Sequence, residues 1–279
     1  TSEEVWRTVN PNMGVPGGLS IDFFREQCAL AKQSPVRENV FKRFYLNMQT
    51  EQEVRWLSME KWDACGEPFD PAMLLGKRCH AALDLSKRVD TTSLVLYFPE
   101  FHAALPWFWV PLECVALRSR RDRVRYDKWV AEGDLLTCPG NSIDQDDMKA
   151  KLIELRTMYE IVDVGVDPWN AAKLITELEK ERFNVFQYRQ GFPSMTEPAK
   201  ELEIMVLDGK LQHGGHPVLR WMASNVMVSI DAAGNYKADK AKSAERIDGI
   251  VSLIMGIGLS LVNKPEPPSI YEDRGIRML

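Results

Sequence analysis

The sequence predicts an α/β fold: a mixed β-sheet flanked by helices on both faces, with a helical N-terminal segment. Three observations carry this reading. Apolar, β-branched and aromatic runs begin as a hairpin-like pair near residue 79. From about residue 145, strand-like runs alternate with helical periodicities, the pattern of strands joined by crossover helices. Finally, 279 residues at 45% hydrophobic content suffice for a full core.

Residues 1–65 hold helical patterns in FFREQCALAK, ENVFKRFYLNM and EQEVRWLSMEKW, with NPN and GVPGG as turn signals and no strand alternation. They read as a region appended to a domain over 66–262. In that domain 79–85 and 93–98 read as strands joined by a polar turn, and 107–117, rich in aromatic residues, as a third. Helices are expected over 120–131 and 145–159, the second with Met148, Leu152, Leu155 and Tyr159 at helical spacing. A strand over 161–166, a helix opening at Pro168 and a strand over 184–188 follow. Proline suits a first helical turn because its missing N–H would have no partner there. Helices near 197–207 and from Pro217, a hairpin at DAAGN (231–235) and a last helix over about 243–261 complete the domain. The tail, 263–279, is Pro-rich and expected to be extended.

Composition excludes several classes. A net charge of −5 argues against a uniformly basic nucleic-acid binder, although RSRRDRVR (118–125) is a local basic run. The five cysteines form no CxxC pair and read as reduced thiols. The longest apolar run, 250–262, is too short to span a bilayer, and no signal peptide is present, so a soluble intracellular protein without a membrane partner is expected. No GxxxxGK[ST] and no GxGxxG occur, which leaves no motif for an ATPase or a dinucleotide enzyme. GxSxG is absent too, and HGGH (213–216) lacks the helical spacing and third ligand of a zinc site.

Three aspartates stand in unusual settings. Asp84 interrupts an apolar strand, Asp167 falls where a strand hands over to a helix, and Asp248 lies in a helix whose next turns are strongly apolar. Desolvating an unpaired carboxylate costs several kcal/mol, so each needs a cationic partner, either a basic side chain or a hard divalent ion with oxygen ligands. Aspartates drawn together from such elements repel one another, and a metal resolves that repulsion. With 40 acidic residues in the chain, no single one of them carries the reading alone.

Taken together, the motifs LDLSKRVDTTSLVL, VDVGVDPWNAAKL, VFQYRQGFPSMTEPAKELE, LQHGGHPVLRWMASNV, GNYKADKAKSAERIDGIVSLIMGIG and SIYEDRGI, in this order, resemble the C-terminal nuclease half of the large terminase subunit of tailed bacteriophages and prophages. Residues 1–65 are similar to the stretch that leads out of the family's ATPase region. The resemblance implies a ribonuclease H-like fold and a metal-dependent endonuclease that cuts concatemeric double-stranded viral DNA by two-metal hydrolysis. It maps the acidic ligands onto Asp84, Asp167 and Asp248, binding Mg²⁺ or Mn²⁺ as two ions, with Asp90 and Asp163 as local rivals. His213 and Asn225 would stand behind those ligands. Arg118, Arg120, Arg121, Arg123 and Arg125, with Lys237, Lys240 and Lys242, become candidate contacts to the DNA backbone. The implied partners are double-stranded DNA, the small terminase subunit, the portal protein and an upstream ATPase domain of the same protein. The implied location is the cytoplasm of the infected or lysogenic host, with transient residence on the procapsid portal. Two other readings remain: a docking module that grips DNA and portal with little cleavage of its own, and another ribonuclease H-like enzyme such as a resolvase or transposase.

Overall fold

A computed structural model describes residues 2–32, 35–48, 53–85, 91–243 and 245–263. Helices α1 (Glu3–Val9), α2 (Ile21–Ala31) and α3 (Pro35–Val40) precede a π-helical turn (Phe41–Tyr45), strand β1 (Glu53–Arg55) and helix α4 (Met59–Ala64). Ser2, Ser20 and Ser58 cap three of these helices, each hydroxyl accepting a backbone N–H that the first turn would leave unpaired. Strands β2 (Arg78–Asp84), β3 (Thr92–Phe98) and β4 (Ala103–Pro111) form a meander, followed by α5 (Val115–Arg121), α6 (Tyr126–Glu132) and β5 (Leu136–Cys138). Next come α7 (Gln145–Arg156), β6 (Glu160–Val166), α8 (Ala172–Lys180), β7 (Val185–Gln187), α9 (Phe192–Leu207) and α10 (Pro217–Asn225). The hairpin β8 (Met227–Ile230) and β9 (Tyr236–Ala238) leads to α11 (Asp248–Val262).

Six strands build one mixed sheet in the order β5-β4-β3-β2-β6-β7, with β2, β6 and β7 parallel and β2, β3 and β4 antiparallel. A smaller antiparallel sheet runs β1-β8-β9. Both faces of the central strands are covered, which is why β2 and β3 read as continuous apolar runs instead of alternating. One face packs Ala82, Val95, Tyr97 and Phe108 in a core with residues of α9, α10 and α11. The other packs Leu83, Leu94 and Leu96 in a core with Leu152 of α7 and Leu178 of α8. The expected helix–sheet–helix architecture is therefore present. Among the described residues no helix is long and apolar enough to cross a membrane.

Helix α11 is buried all round from Asp248 to Leu259, as a helix enclosed between sheet and helices must be. Its close approach depends on glycine. A methyl group at Gly249 would lie 2.6 Å from Cε1 and 2.8 Å from Cζ of the fully buried Phe108 ring. Gly249→Ala is expected to cost about 1–3 kcal/mol, read as a lower urea midpoint; an unchanged midpoint would show that the ring yields freely.

Several boundaries differ from the sequence expectation, each for a local reason. The strand expected over 107–117 is Ala103–Pro111, because Pro111 cannot donate to a longer ladder and the chain turns into α5. The helix expected over 120–131 is broken at 122–125, where Arg123 adopts φ +54° and the Asp122 carboxylate accepts from Arg121 Nε and from the Tyr126 hydroxyl. Helix α9 starts at Phe192, ahead of the expected start near 197. Pro198 sits inside it and cannot donate to the Ser194 carbonyl, and the Tyr188 hydroxyl donates to that oxygen instead, at 2.7 Å. EQEVRWLSMEKW, read as helical, contributes β1, whose Val54 pairs with Val228. The region from Trp56 to Cys65, grouped by sequence with the N-terminal segment, buries Trp56, Leu57 and Trp62 in the core shared with α11. The N-terminal helices keep a cluster of their own around Trp6, Phe24 and Phe41. The tail expected to be extended falls, after Asn263, outside the described residues.

Candidate active site

Asp84 is the last residue of β2 and is 1% exposed; Asp248 opens α11 and is 8% exposed. Side chains alternate along a strand, so Asp84 shares the face of Ala82, the face that α11 covers. What brings the two carboxylates together is a buried tie between the elements. Ser93, the cross-strand partner of Asp84, shares a 2.7 Å hydrogen bond with Ser252, one helical turn beyond Asp248. Asp248 also stands at a helix N-terminus, where the macrodipole favours an anion.

A lysine joins the pair. Lys240 Nζ lies 2.5 Å from Asp84 Oδ2 and 3.2 Å from Asp248 Oδ1. Gln190, just past β7, donates from Nε2 to Asp84 Oδ1 at 3.1 Å, and its own carbonyl accepts from Lys237 Nζ at 3.3 Å. Asp248 Oδ2 is buried with no hydrogen-bond partner among the described residues. Burial pushes the Asp84 carboxyl up to about 6; the Lys240 charge opposes that shift and the Asp248 charge adds to it. Burial works against the Lys240 ammonium, but attraction by Asp84 and then Asp248 more than reverses this and holds it above its ordinary value.

Lys240 is delivered by a tied turn. Asp239 accepts from the Ser229 hydroxyl and the Ala241 N–H, the Asp239 carbonyl accepts from the Ser243 hydroxyl, and Ser243 Oγ in turn accepts from Met227 N–H. This turn is why α11 begins at Asp248 and not near 243.

Asp167 lies one residue past β6, at the same strand end as Asp84, and its N–H reaches Leu83 O at 3.4 Å. Its side chain is half-buried, and Oδ1 accepts the Trp169 N–H at 2.9 Å in a local turn. The structure thus unites Asp84 with Asp248 and sets Asp167 beside them with one carboxylate oxygen engaged elsewhere. Among the described residues, no three His, Cys, Asp or Glu side chains converge in a geometry that could hold a metal ion. Asp84, Asp167 and Gln190 nevertheless all sit at the carboxyl ends of β2, β6 and β7, the edge where open α/β sheets bind ligands.

The rival acids separate cleanly. Asp163 pairs in register with His80, four residues back along β2 from Asp84, or ~13 Å at strand rise. It is buried, accepts from Asn263 Nδ2 at 2.5 Å and lies 2.8 Å from His80 Nδ1, a closed set of its own. Asp90 lies outside the described residues.

The structure places the other sequence candidates as follows. Lys240, expected on DNA, is engaged by the acidic pair. Arg118 is 2% exposed beside Asp122, so it presents no surface to a phosphate. Arg121 pairs with Asp122 at 2.6 Å and Arg125 pairs in bidentate fashion with Asp127, while Arg120 and Arg123 are exposed. Lys237 is turned to Gln190 O and Phe192, and Lys242 is half-buried. His213 is a structural residue: it stacks on Trp62 at 4.3 Å, its Nδ1 accepts Gly215 N–H, and its Nε2 therefore donates to Trp62 O at 2.8 Å. Burial lowers its pKa. Asn225 ends α10 with Nδ2 buried and unpartnered among the described residues, and no hydrogen bond links it to the aspartates. Sequence reading missed Gln190; the only signal was its place in YRQG, directly after a strand parallel to β6.

The family model of the terminase large subunit endonuclease domain matches residues 1–263. The chain belongs to this family. It is 31% identical over 285 residues to the terminase large subunit of Enterobacteria phage HK97, covering 98% of this chain and 54% of that protein. Protein YmfN of Escherichia coli (strain K12) is 29% identical over 299 residues, covering 100% of this chain and 64% of that one. The crystal structure of the HK97 large terminase superposes with a TM-score of 0.69 at 32% identity, over 92% of this chain and 54% of that one. This terminase domain therefore spans 54% and 64% of the length of these two relatives, and its sheet has the ribonuclease H-like form expected for the family.

Proposed function

We propose that this domain is a divalent-metal-dependent endonuclease that hydrolyses double-stranded DNA. One observation carries the reading: Asp84 and Asp248, far apart in sequence, are buried together around the Lys240 ammonium, and Asp248 Oδ2 has no hydrogen-bond partner among the described residues. A buried acidic pair with an unpaired oxygen fits a hard cation better than it fits a structural ion pair, which would satisfy every lone pair.

In this reading Asp84, Asp248 and Asp167 would hold Mg²⁺ or Mn²⁺, two ions in all, with Asp167 offering the carboxylate oxygen that does not accept the Trp169 N–H. The bound ions would supply an activated water and charge neutralisation at the leaving oxygen. The residues of the chain do the positioning. Gln190 fixes the Asp84 carboxylate plane, the Ser93–Ser252 bond fixes the spacing of β2 and α11, and the stiff central strand limits drift of the first ligand.

In the metal-free arrangement, DNA contact would start from exposed cations outside the acidic pair. Arg120 and Arg123 are the exposed arginines of the basic run that pair with no acid among the described residues, and phosphate contacts of this kind carry no sequence information. Replacing both by alanine is expected to weaken duplex binding and to reduce the salt dependence of log K by about one unit per lost contact; an unchanged slope in a fluorescence-anisotropy titration would move the DNA path elsewhere.

The finer assignments follow the family. The substrate would be concatemeric viral DNA, with the small terminase subunit selecting the site and the portal receiving the motor. ATP-driven translocation would reside in a part of the large subunit other than this chain. Such a protein would act in the cytoplasm of the bacterial host and transiently on the procapsid. Incubation with supercoiled plasmid tests the core of the reading. Nicking and linearisation are expected with Mn²⁺ or Mg²⁺, and none with chelator or in Asp248→Asn. Cleavage that persists in both would remove the aspartates from the chemistry.

A further inference from the structure

We infer that Lys240 is a built-in counter-cation that occupies the acidic pair in the metal-free protein, competes with the divalent ion for it, and passes to a DNA phosphate when the site is loaded. The inference rests on the proposed nuclease reading and deepens it.

The geometry is that of a surrogate ion. The Lys240 ammonium lies 2.5 Å and 3.2 Å from carboxylate oxygens of Asp84 on β2 and Asp248 on α11. Both aspartates are nearly excluded from solvent, whereas the Lys240 side chain is 42% exposed. The lysine thus reaches the pair from the open side, the side from which substrate must also arrive. An ammonium at that position and a divalent cation bound to the same oxygens repel each other, so the two occupancies are mutually exclusive.

Two features make exchange feasible. The backbone of Lys240 is held by the Asp239 and Ser243 hydrogen bonds, so the turn stays in place while the four-carbon side chain swings. An ammonium expelled from two carboxylates needs another anion, and the phosphodiester is the anion that arrives at this edge. DNA and metal then favour each other through one residue: phosphate draws the lysine out and leaves the carboxylates free. By linkage, metal must tighten DNA binding by the same factor.

Mn²⁺ titration followed by electron paramagnetic resonance tests this without turnover. In the absence of DNA, Lys240→Met and Lys240→Gln are expected to bind Mn²⁺ at least about tenfold more tightly than wild type, while Lys240→Arg, which keeps the charge, stays near wild type. A short duplex with phosphorothioate linkages should tighten Mn²⁺ binding more in wild type than in Lys240→Met, because only the wild type has a lysine to release. The inference is overturned if the neutral variants bind Mn²⁺ no more tightly than wild type while Asp84→Asn still abolishes binding. If Asp84→Asn leaves Mn²⁺ binding intact, the metal lies elsewhere and the nuclease-site reading itself fails. Using two neutral variants guards against one that folds poorly, and circular dichroism before titration identifies it.

Discussion

Asp84→Asn is expected to lower metal-dependent cleavage by at least about 10³-fold, about 4 kcal/mol of lost transition-state stabilisation, and at the same time to stabilise the metal-free protein. The second half follows from linkage. Burial raises the Asp84 carboxyl from 3.8 to about 6, so the folded state holds its proton more tightly than the unfolded chain does. Ionised Asp84 therefore opposes folding. That cost is fully present above pH about 6, shrinks as the pH falls from about 6 toward 3.8, and vanishes below. A shift of about two pH units bounds it at ~3 kcal/mol. Asparagine cannot ionise, so a gain of about 1–3 kcal/mol is expected at pH 7.5 and almost none at pH 4. Urea unfolding at the two pH values measures both. A loss of stability at pH 7.5 would mean that the ion pair with Lys240 contributes more than burial costs. Mn²⁺ binding should also weaken as the pH falls through about 6, because only the ionised carboxylate is a ligand.

His80→Ala is expected to be the most damaging change away from the site, at about 3–5 kcal/mol. It strips a buried carboxylate, Asp163, of the ring nitrogen 2.8 Å away and leaves a cavity in the middle of β2. Among the described residues, Asn263 alone would remain as a partner. Mn²⁺ affinity of the folded fraction should not change, since Asp163 lies ~13 Å from Asp84 along the strand. A loss under about 1 kcal/mol in urea would show that Asn263 alone satisfies the acid. An effect on Mn²⁺ binding would restore Asp163 as a ligand.

The legible part of the fold was the part where local pattern and tertiary role agree. The strands around Leu83 and Leu94 are apolar because both faces are buried, and the DAAGN hairpin carries its turn chemistry in Asp231 and in Gly234 at φ +82°. β1 was illegible because a three-residue strand is defined by its partner β8, and the start of α9 because only Tyr188 rescues the carbonyl that Pro198 abandons. In the site, Asp84 and Asp248 were readable as charges in apolar elements. Asp167 was readable as a strand-end acid, but not its engagement with Trp169 N–H. Lys240 was readable only as one basic residue among several, since nothing local distinguishes it from Lys237 or Lys242. What sets it apart is the distance to two carboxylates that the chain brings in from elsewhere.

The order of the elements along the chain has a consequence for how the protein is made. β2, β3 and β4 follow one another and pair as neighbours, so this meander closes short loops and can form while later residues are still being synthesised. β1 has no described partner until β8 emerges, and Asp84 has neither its lysine nor its fellow acid until the turn after β9 and the start of α11 are made. Until then the strand that bears Asp84 lacks the helix that buries it, and its carboxylate remains hydrated and of ordinary acidity. A nascent chain stalled before α11 would thus carry a formed meander and half of the acidic pair, and the potential for chemistry would arrive with α11.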